Sequence, residues 1–169
     1  LCSNVDLKGD GQLWETKSHH RLLNCWQPRR VGILNKQSGL PDDNIWSLCE
    51  DKTGGVWIGT AGHGLIVRSG TERHDLSTDR GLPGVAITSL VQDNAGLLWF
   101  GSGRQVVRAD PAELWRAART PGAHPAVHLF DQGDGLRELD FPTATQPSVA
   151  KDDRGRLWFA LVRGAAMID

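Results

Sequence analysis

The chain has 169 residues, enough for one domain with a sizeable core, and its 19 Lys and Arg nearly cancel its 20 Asp and Glu. A net charge of −1 excludes the basic footprint of a nucleic-acid or anionic-membrane binder, and no apolar run approaches the roughly 20 residues of a membrane-spanning helix. Three cysteines (Cys2, Cys25, Cys49) form no C-x-x-C pair and specify neither a disulfide framework nor a zinc site.

In chain order, residues 1–36 read as an eroded repeat unit, running from Asn4-Val5-Asp6-Leu7 through Gly11-Gln12-Leu13-Trp14 to Leu22-Leu23 and Val31-Gly32-Ile33-Leu34. The second unit, 37–78, is complete. Gly39-Leu40-Pro41 leads to Ile45-Trp46-Ser47-Leu48-Cys49, then the turn Asp51-Lys52-Thr53-Gly54, then Val56-Trp57-Ile58-Gly59, then Leu65-Ile66-Val67 and a weaker strand around Thr71 to Leu76. The third, 79–132, repeats the order with Gly81-Leu82-Pro83, Ile87-Thr88-Ser89-Leu90-Val91, Asp93-Asn94-Ala95-Gly96, Trp99 and Gln105-Val106-Val107. The fourth, 133–169, has Gly135-Leu136, Ser148-Val149-Ala150, Asp152-Asp153-Arg154-Gly155, Trp158 and Ala166-Met167-Ile168. Tryptophans at 14, 57, 99 and 158 mark a period of 43, then 42, then 59 residues. Such a period signals stacked supersecondary units.

Short runs rich in β-branched and aromatic residues, broken by Asp/Asn/Gly turns, predict strands joined by hairpins. Four strands in about 42 residues is one propeller blade. The extra residues of the third unit predict a short helix near 111–119, with Asp110 as N-cap, Pro111 in the first helical position, Leu114, Trp115 and Ala118 on the apolar side, and Pro121-Gly122 as the stop. The expected fold is therefore all-β, a partial β-propeller of three to four four-stranded blades with one inserted helix. Trp14, Trp57, Trp99 and Trp158 are read as structural, each filling the gap between successive sheets.

Loops leading into each innermost strand and turns between the second and third strands should share one face of a propeller. They carry Asp42, Asp43, Asn44, His63, Arg104, Arg137, Glu138 and Arg163, a set of carboxylates, an imidazole and guanidiniums suited to a small polar ligand. The Asp-rich turns on the opposite face lack the ligand density of a calcium loop, so no metal is expected. Gly59-Thr60-Ala61-Gly62-His63-Gly64 imitates a dinucleotide loop, but a strand-like run follows it in place of a helix, so no cofactor is expected either.

Gly39-Leu40-Pro41, Ile45, Ser47-Leu48, Glu50-Asp51, Gly54/Gly55, Trp57-Ile58-Gly59-Thr60 and Gly64-Leu65 resemble the two-component regulator propeller repeat. The second copy resembles it with Gly103-Arg104 in a shortened turn, and the third is similar to the family's final blade. The resemblance implies a periplasmic or otherwise extracytoplasmic sensor region of a hybrid histidine kinase or a receptor with a diguanylate cyclase output, binding a carbohydrate or other small polar ligand. It implies that this segment itself is not an enzyme. It also implies further blades, supplied by the parent chain or by a second copy. A protein-interaction scaffold and a propeller lyase or hydrolase are the alternatives.

Overall fold

The computed structural model describes residues 13–17, 22–27, 30–136, 140–142 and 147–169, with side chains from Ile33 onward. Strands β1 (Leu13–Lys17), β2 (Leu22–Gln27) and β3 (Arg30–Leu34) form one sheet. A second sheet holds β4 (Ile45–Glu50), β5 (Val56–Thr60), β6 (Leu65–Ser69) and β7 (Glu72–Leu76). A third holds β8 (Ile87–Gln92), β9 (Leu98–Ser102), β10 (Gln105–Ala109) and β11 (Val127–Phe130). A fourth holds β12 (Val149–Lys151), β13 (Leu157–Leu161) and β14 (Gly164–Ile168). Every sheet is an antiparallel meander, and the first strands of successive sheets adjoin: β1 lies by β4, β4 by β8 and β8 by β12. Sheets that meet along their first strands and fan outward are blades of a propeller.

The recurrent Gly-Leu pair makes the step from one sheet to the next. After β3, β7 and β11 the chain forms a 3₁₀ turn (Lys36–Ser38, Thr78–Arg80, Gln132–Asp134) that ends on Gly39, Gly81 or Gly135 at φ 101°, 86° and 92°. Glycine adopts this left-handed geometry without a Cβ penalty. The following leucine amide then donates back to the residue that opened the turn, Leu40 to Asn35, Leu82 to Ser77 and Leu136 to Asp131. Leu40 and Leu82 are buried by this reversal.

The cores lie between sheets. Leu40, Ile45, Val56, Ile58 and Ile66 face the first sheet, with Leu34 packed against them. Trp57, Leu65, Val67 and Leu76 meet Leu82, Ile87, Leu90, Leu98 and Phe100 of the third. Trp99 and Val106 meet Phe141, Leu157, Phe159 and Ala166. Trp57 is fully buried and Trp99 only 6% exposed, as the filling of gaps between sheets requires. Trp158 departs from the expectation at 38% exposed, because no sheet among the described residues lies on it. The side chain of Trp14 lies outside the described residues.

The predicted helix is present as α1 (Pro111–Arg119), with the Asp110 carboxylate accepting the Ala112 amide at 2.8 Å. Its buried side is Leu114, Ala117 and Ala118, while Trp115 lies edge-on to Trp57 at 6.1 Å. α1 lies against β7 of the preceding sheet. Arg119 donates to both Glu72 carboxylate oxygens at 2.9 and 2.7 Å, and Arg80 donates to the carbonyls of Ala117 and Ala118 at the helix C-terminus.

Candidate functional site

Strand register decides which loops share a face. Ile45 at the start of β4 pairs with Thr60 at the end of β5, and Leu65 at the start of β6 pairs with Leu76 at the end of β7. The segment leading into β4, the β5–β6 turn and the exit from β7 thus lie on one edge. Ile87 and Ser102 repeat the pairing in the next sheet, and Leu161 with Gly164 closes the turn of the fourth.

On this face the structure joins Asp42 to His63. The ring Nδ1 lies 3.2 Å from the Asp42 carboxylate, with the aspartate side chain 12% and the histidine 51% exposed. The other Asp42 oxygen accepts the Asn44 amide at 3.0 Å. Burial works to raise the Asp42 carboxyl, but the Asn44 amide, the His63 ring and the charge of Lys36 outweigh it and hold the group below its ordinary value. The histidine is set by its turn: its amide donates to the Thr60 hydroxyl (2.9 Å), which in turn donates to the Gly64 carbonyl (2.9 Å). The Gly64 amide then reaches across to the Val85 carbonyl of the next repeat at 2.7 Å.

Arg104 meets a partner that spacing alone did not indicate. Its guanidinium lies 3.3 Å from Asp140, and both side chains are well exposed. The Asp140 carbonyl accepts the Val162 amide at 2.8 Å, which places Asp140 between the turns that carry Arg104 and Arg163. Asp140 has the place that Asn44 has in the second unit, whose carbonyl accepts Ala61. That equivalence was the available signal: Asp140 follows Gly135 by the same five residues that separate Asn44 from Gly39, and the extra residues of the fourth unit come after it. An open groove of about 430 Å³ runs beside Arg104, lined by Pro83, Ser102, Gln105, Asp131 and Gln132.

Of the other expected residues, Asp43 is occupied in accepting the Lys36 amide at 2.6 Å. Arg163 is exposed on the β13–β14 turn. Arg137 and Glu138 lie outside the described residues. Among the described residues no group of three or more His, Cys, Asp or Glu side chains converges as a metal centre needs. Chemically, the face offers an imidazole backed by a carboxylate, a guanidinium in a loose exposed pair, and hydroxyl and amide groups, all able to hydrogen-bond a polar ligand.

Antiparallel sheets joined along their first strands, with a tryptophan recurring at the same place in each unit and the turns gathered on one face, define a β-propeller. Residues 39–62 and 81–104 match the Two component regulator propeller family, and these two units are repeats of that kind. No curated protein matches the sequence. Among solved structures, the fold is similar to the extracellular domain of a hybrid two component system from B. thetaiotaomicron (TM-score 0.69, 17% identity, 99% of this chain, 23% of that one). A second B. thetaiotaomicron extracellular domain of a hybrid two component system gives TM-score 0.62 at 20% identity over 95% of this chain and 22% of that one. Virginiamycin B lyase from Staphylococcus aureus gives 0.58 at 14% identity over 96% of this chain and 53% of that one. The chain spans about a quarter of the length of the two extracellular domains.

Proposed function

We propose that the chain is a ligand-binding sensor segment of a bacterial two-component signalling receptor, acting outside the cytoplasm and taking a small polar ligand such as a carbohydrate. The observation that carries the reading is the pair of two component regulator propeller repeats at 39–62 and 81–104. Support for the location comes from the similar extracellular domains. The ligand is held on the loop face: His63, oriented by Asp42, presents its outer ring nitrogen, and Arg104 exchanges Asp140 for ligand oxygens in the adjoining groove. Because Asp140 leads toward the fourth sheet, that exchange passes the binding event to the next blade. The segment binds and does not turn its ligand over.

The test is calorimetric titration of the chain with a panel of neutral sugars and sugar acids, repeated on a triple variant carrying His63→Ala, Arg104→Ala and Arg163→Ala. A bound sugar whose affinity drops at least about tenfold in the folded variant supports the site. Unchanged affinity refutes the site. Conversion of the bound compound refutes the non-catalytic role.

A further inference from the structure

Among the described residues, three arginines lie over aromatic rings. Arg119 is 4.7 Å from the centre of the Trp115 ring, and Arg156 is 5.5 Å from that of Trp158. Each of these two engages a carboxylate. Arg119 donates to both oxygens of Glu72 at 2.9 and 2.7 Å, and Arg156 donates to Asp152 at 2.7 Å. The third, Arg108, lies against two rings, 5.5 Å from Trp99 and 5.6 Å from Phe130, which stack on each other at 5.2 Å. No carboxylate among the described residues pairs with it. The aspartate that serves the same indole is committed elsewhere: one Asp93 oxygen accepts the Trp99 N–H at 2.7 Å and the other the Leu97 amide at 2.8 Å.

His128 stands directly opposite Arg108 in the β10–β11 ladder, and its ring lies edge-on to Phe130 at 4.5 Å. Side chains directly opposite on one face are about 5 Å apart, so two basic groups there disfavour each other unless an acceptor joins them. A second basic pair shows how the fold relieves this internally. Arg68 faces Arg73, and there Arg68 donates to the Gly70 carbonyl at 3.0 Å while Arg73 lies 3.5 Å from Asp75. Arg108 and His128 have no acid of their own among the described residues. Arg108 is half-buried and His128 exposed, so the pair is open to solvent. Gln105 begins β10 at the loop face, whereas Arg108 sits toward the far end of that strand, beside the start of β11.

We propose that Arg108 and His128 form a second binding site, apart from the loop face, for the carboxylate of a small organic acid. A guanidinium set against two rings offers its N–H groups along its own edge, and a planar carboxylate meets two of them at once. The chain builds that arrangement itself where Arg119 meets Glu72. Phe130 supplies an apolar wall for the body of the acid. Because the rings orient Arg108 before the acid arrives, little side-chain freedom is lost on binding.

A titration of the whole chain with sodium benzoate, followed by NMR at fixed ionic strength, tests this. Benzyl alcohol serves as the same ring without the carboxylate, and sodium sulfate as a tetrahedral anion. Benzoate should bind with a dissociation constant in the millimolar range or tighter, shifting the Arg108 Nε–H resonance, and should bind more tightly than either comparison. Arg108→Gln and Arg108→Lys should each weaken it about tenfold, since lysine keeps the charge and loses the fork. His128→Ala should weaken it about threefold. Circular dichroism checks each fold, and the exposed His128→Ala carries the test if the Arg108 variants unfold. Absence of binding up to about 50 mM benzoate would overturn the proposal. So would an affinity unmoved in the folded variants, or benzyl alcohol or sulfate bound as tightly as benzoate. Loss of binding in Arg104→Ala but not in Arg108→Lys would move the carboxylate to the loop face and overturn it as well.

Discussion

The Trp57 indole N–H donates to one oxygen of Asp51 at 2.7 Å, while the other oxygen of the same carboxylate accepts the amides of Thr53 and Gly55 at 2.8 and 3.0 Å. One side chain thus ties a β-turn to the indole that fills the gap between two sheets. Asp93 with Trp99 and Asp152 with Trp158 repeat the bond at the same separation of six residues. The turn glycine makes this possible: Gly54, Gly96 and Gly155 take φ of 83°, 94° and 87°, and each donates its amide back to the aspartate carbonyl.

Removing the Asp51 carboxylate leaves a buried indole N–H and two turn amides without an acceptor. Asp51→Ala should therefore cost about 2 to 3 kcal/mol, read as a lower urea midpoint at unchanged slope. Asp152→Ala should cost less, because Trp158 reaches solvent and water replaces the carboxylate.

The tryptophans should separate in the same way. Trp57→Ala opens a cavity in the largest core and should cost about 3 to 5 kcal/mol in chemical denaturation. Trp158→Ala should cost clearly less in the isolated chain. Equal losses at the two positions would mean that burial between sheets is not what the indole contributes.

Gly59 lies where two sheets come close. A Cβ there would lie 2.1 Å from the Ser47 hydroxyl and 2.7 Å from the Ile87 carbonyl. Gly59→Ala should cost about 1 to 3 kcal/mol. Adding Ser47→Ala should recover only part of that loss, since the Ile87 carbonyl is backbone and cannot move away; a double-mutant cycle measures the recovered part.

Acid should weaken the turn that Asp152 holds. The Trp158 indole, together with the Arg156 side chain and nearby amides, outweighs a burial effect that acts to raise the Asp152 carboxyl and holds it at about 2, below its ordinary 3.8. A depressed value favours the folded state at all pH above 3.8, and the contribution is lost as pH falls from 3.8 toward 2. The stability difference between the unaltered chain and Asp152→Asn should shrink through that window. Urea midpoints measured from neutral pH down to pH 2 check it.

The blade architecture was legible because its causes are local. Period, turn glycines and alternation are written along the chain, and the Asp110 cap with Pro111 marked the helix start. The Asp–Trp bond was not legible. Asp51 and Trp57 each had a sufficient local reason, one as a turn cap and the other as core, and only the fold shows that one carboxylate serves both. The loop face was legible as a set of turns, which grouped His63 with Asp42. It was not legible as pairs: Asp43 went to cap a neighbouring turn, and Arg104 met Asp140, a residue of the next unit that only the packing of the third and fourth sheets brings to it. Burial of Trp158 failed as an expectation because it depends on a neighbouring sheet and not on the strand that carries it.

α1 bolts the rim of the third sheet to β7 of the second, through its apolar side and the Arg119–Glu72 pair. Between the third and fourth sheets, the described residues include no such strut; across the mouth stands the exposed Arg104–Asp140 contact. The second and third sheets are thus tied at the rim by packing and by a two-point ion pair, and at the groove the third sheet meets the approach to the fourth through an exposed arginine and an exposed aspartate.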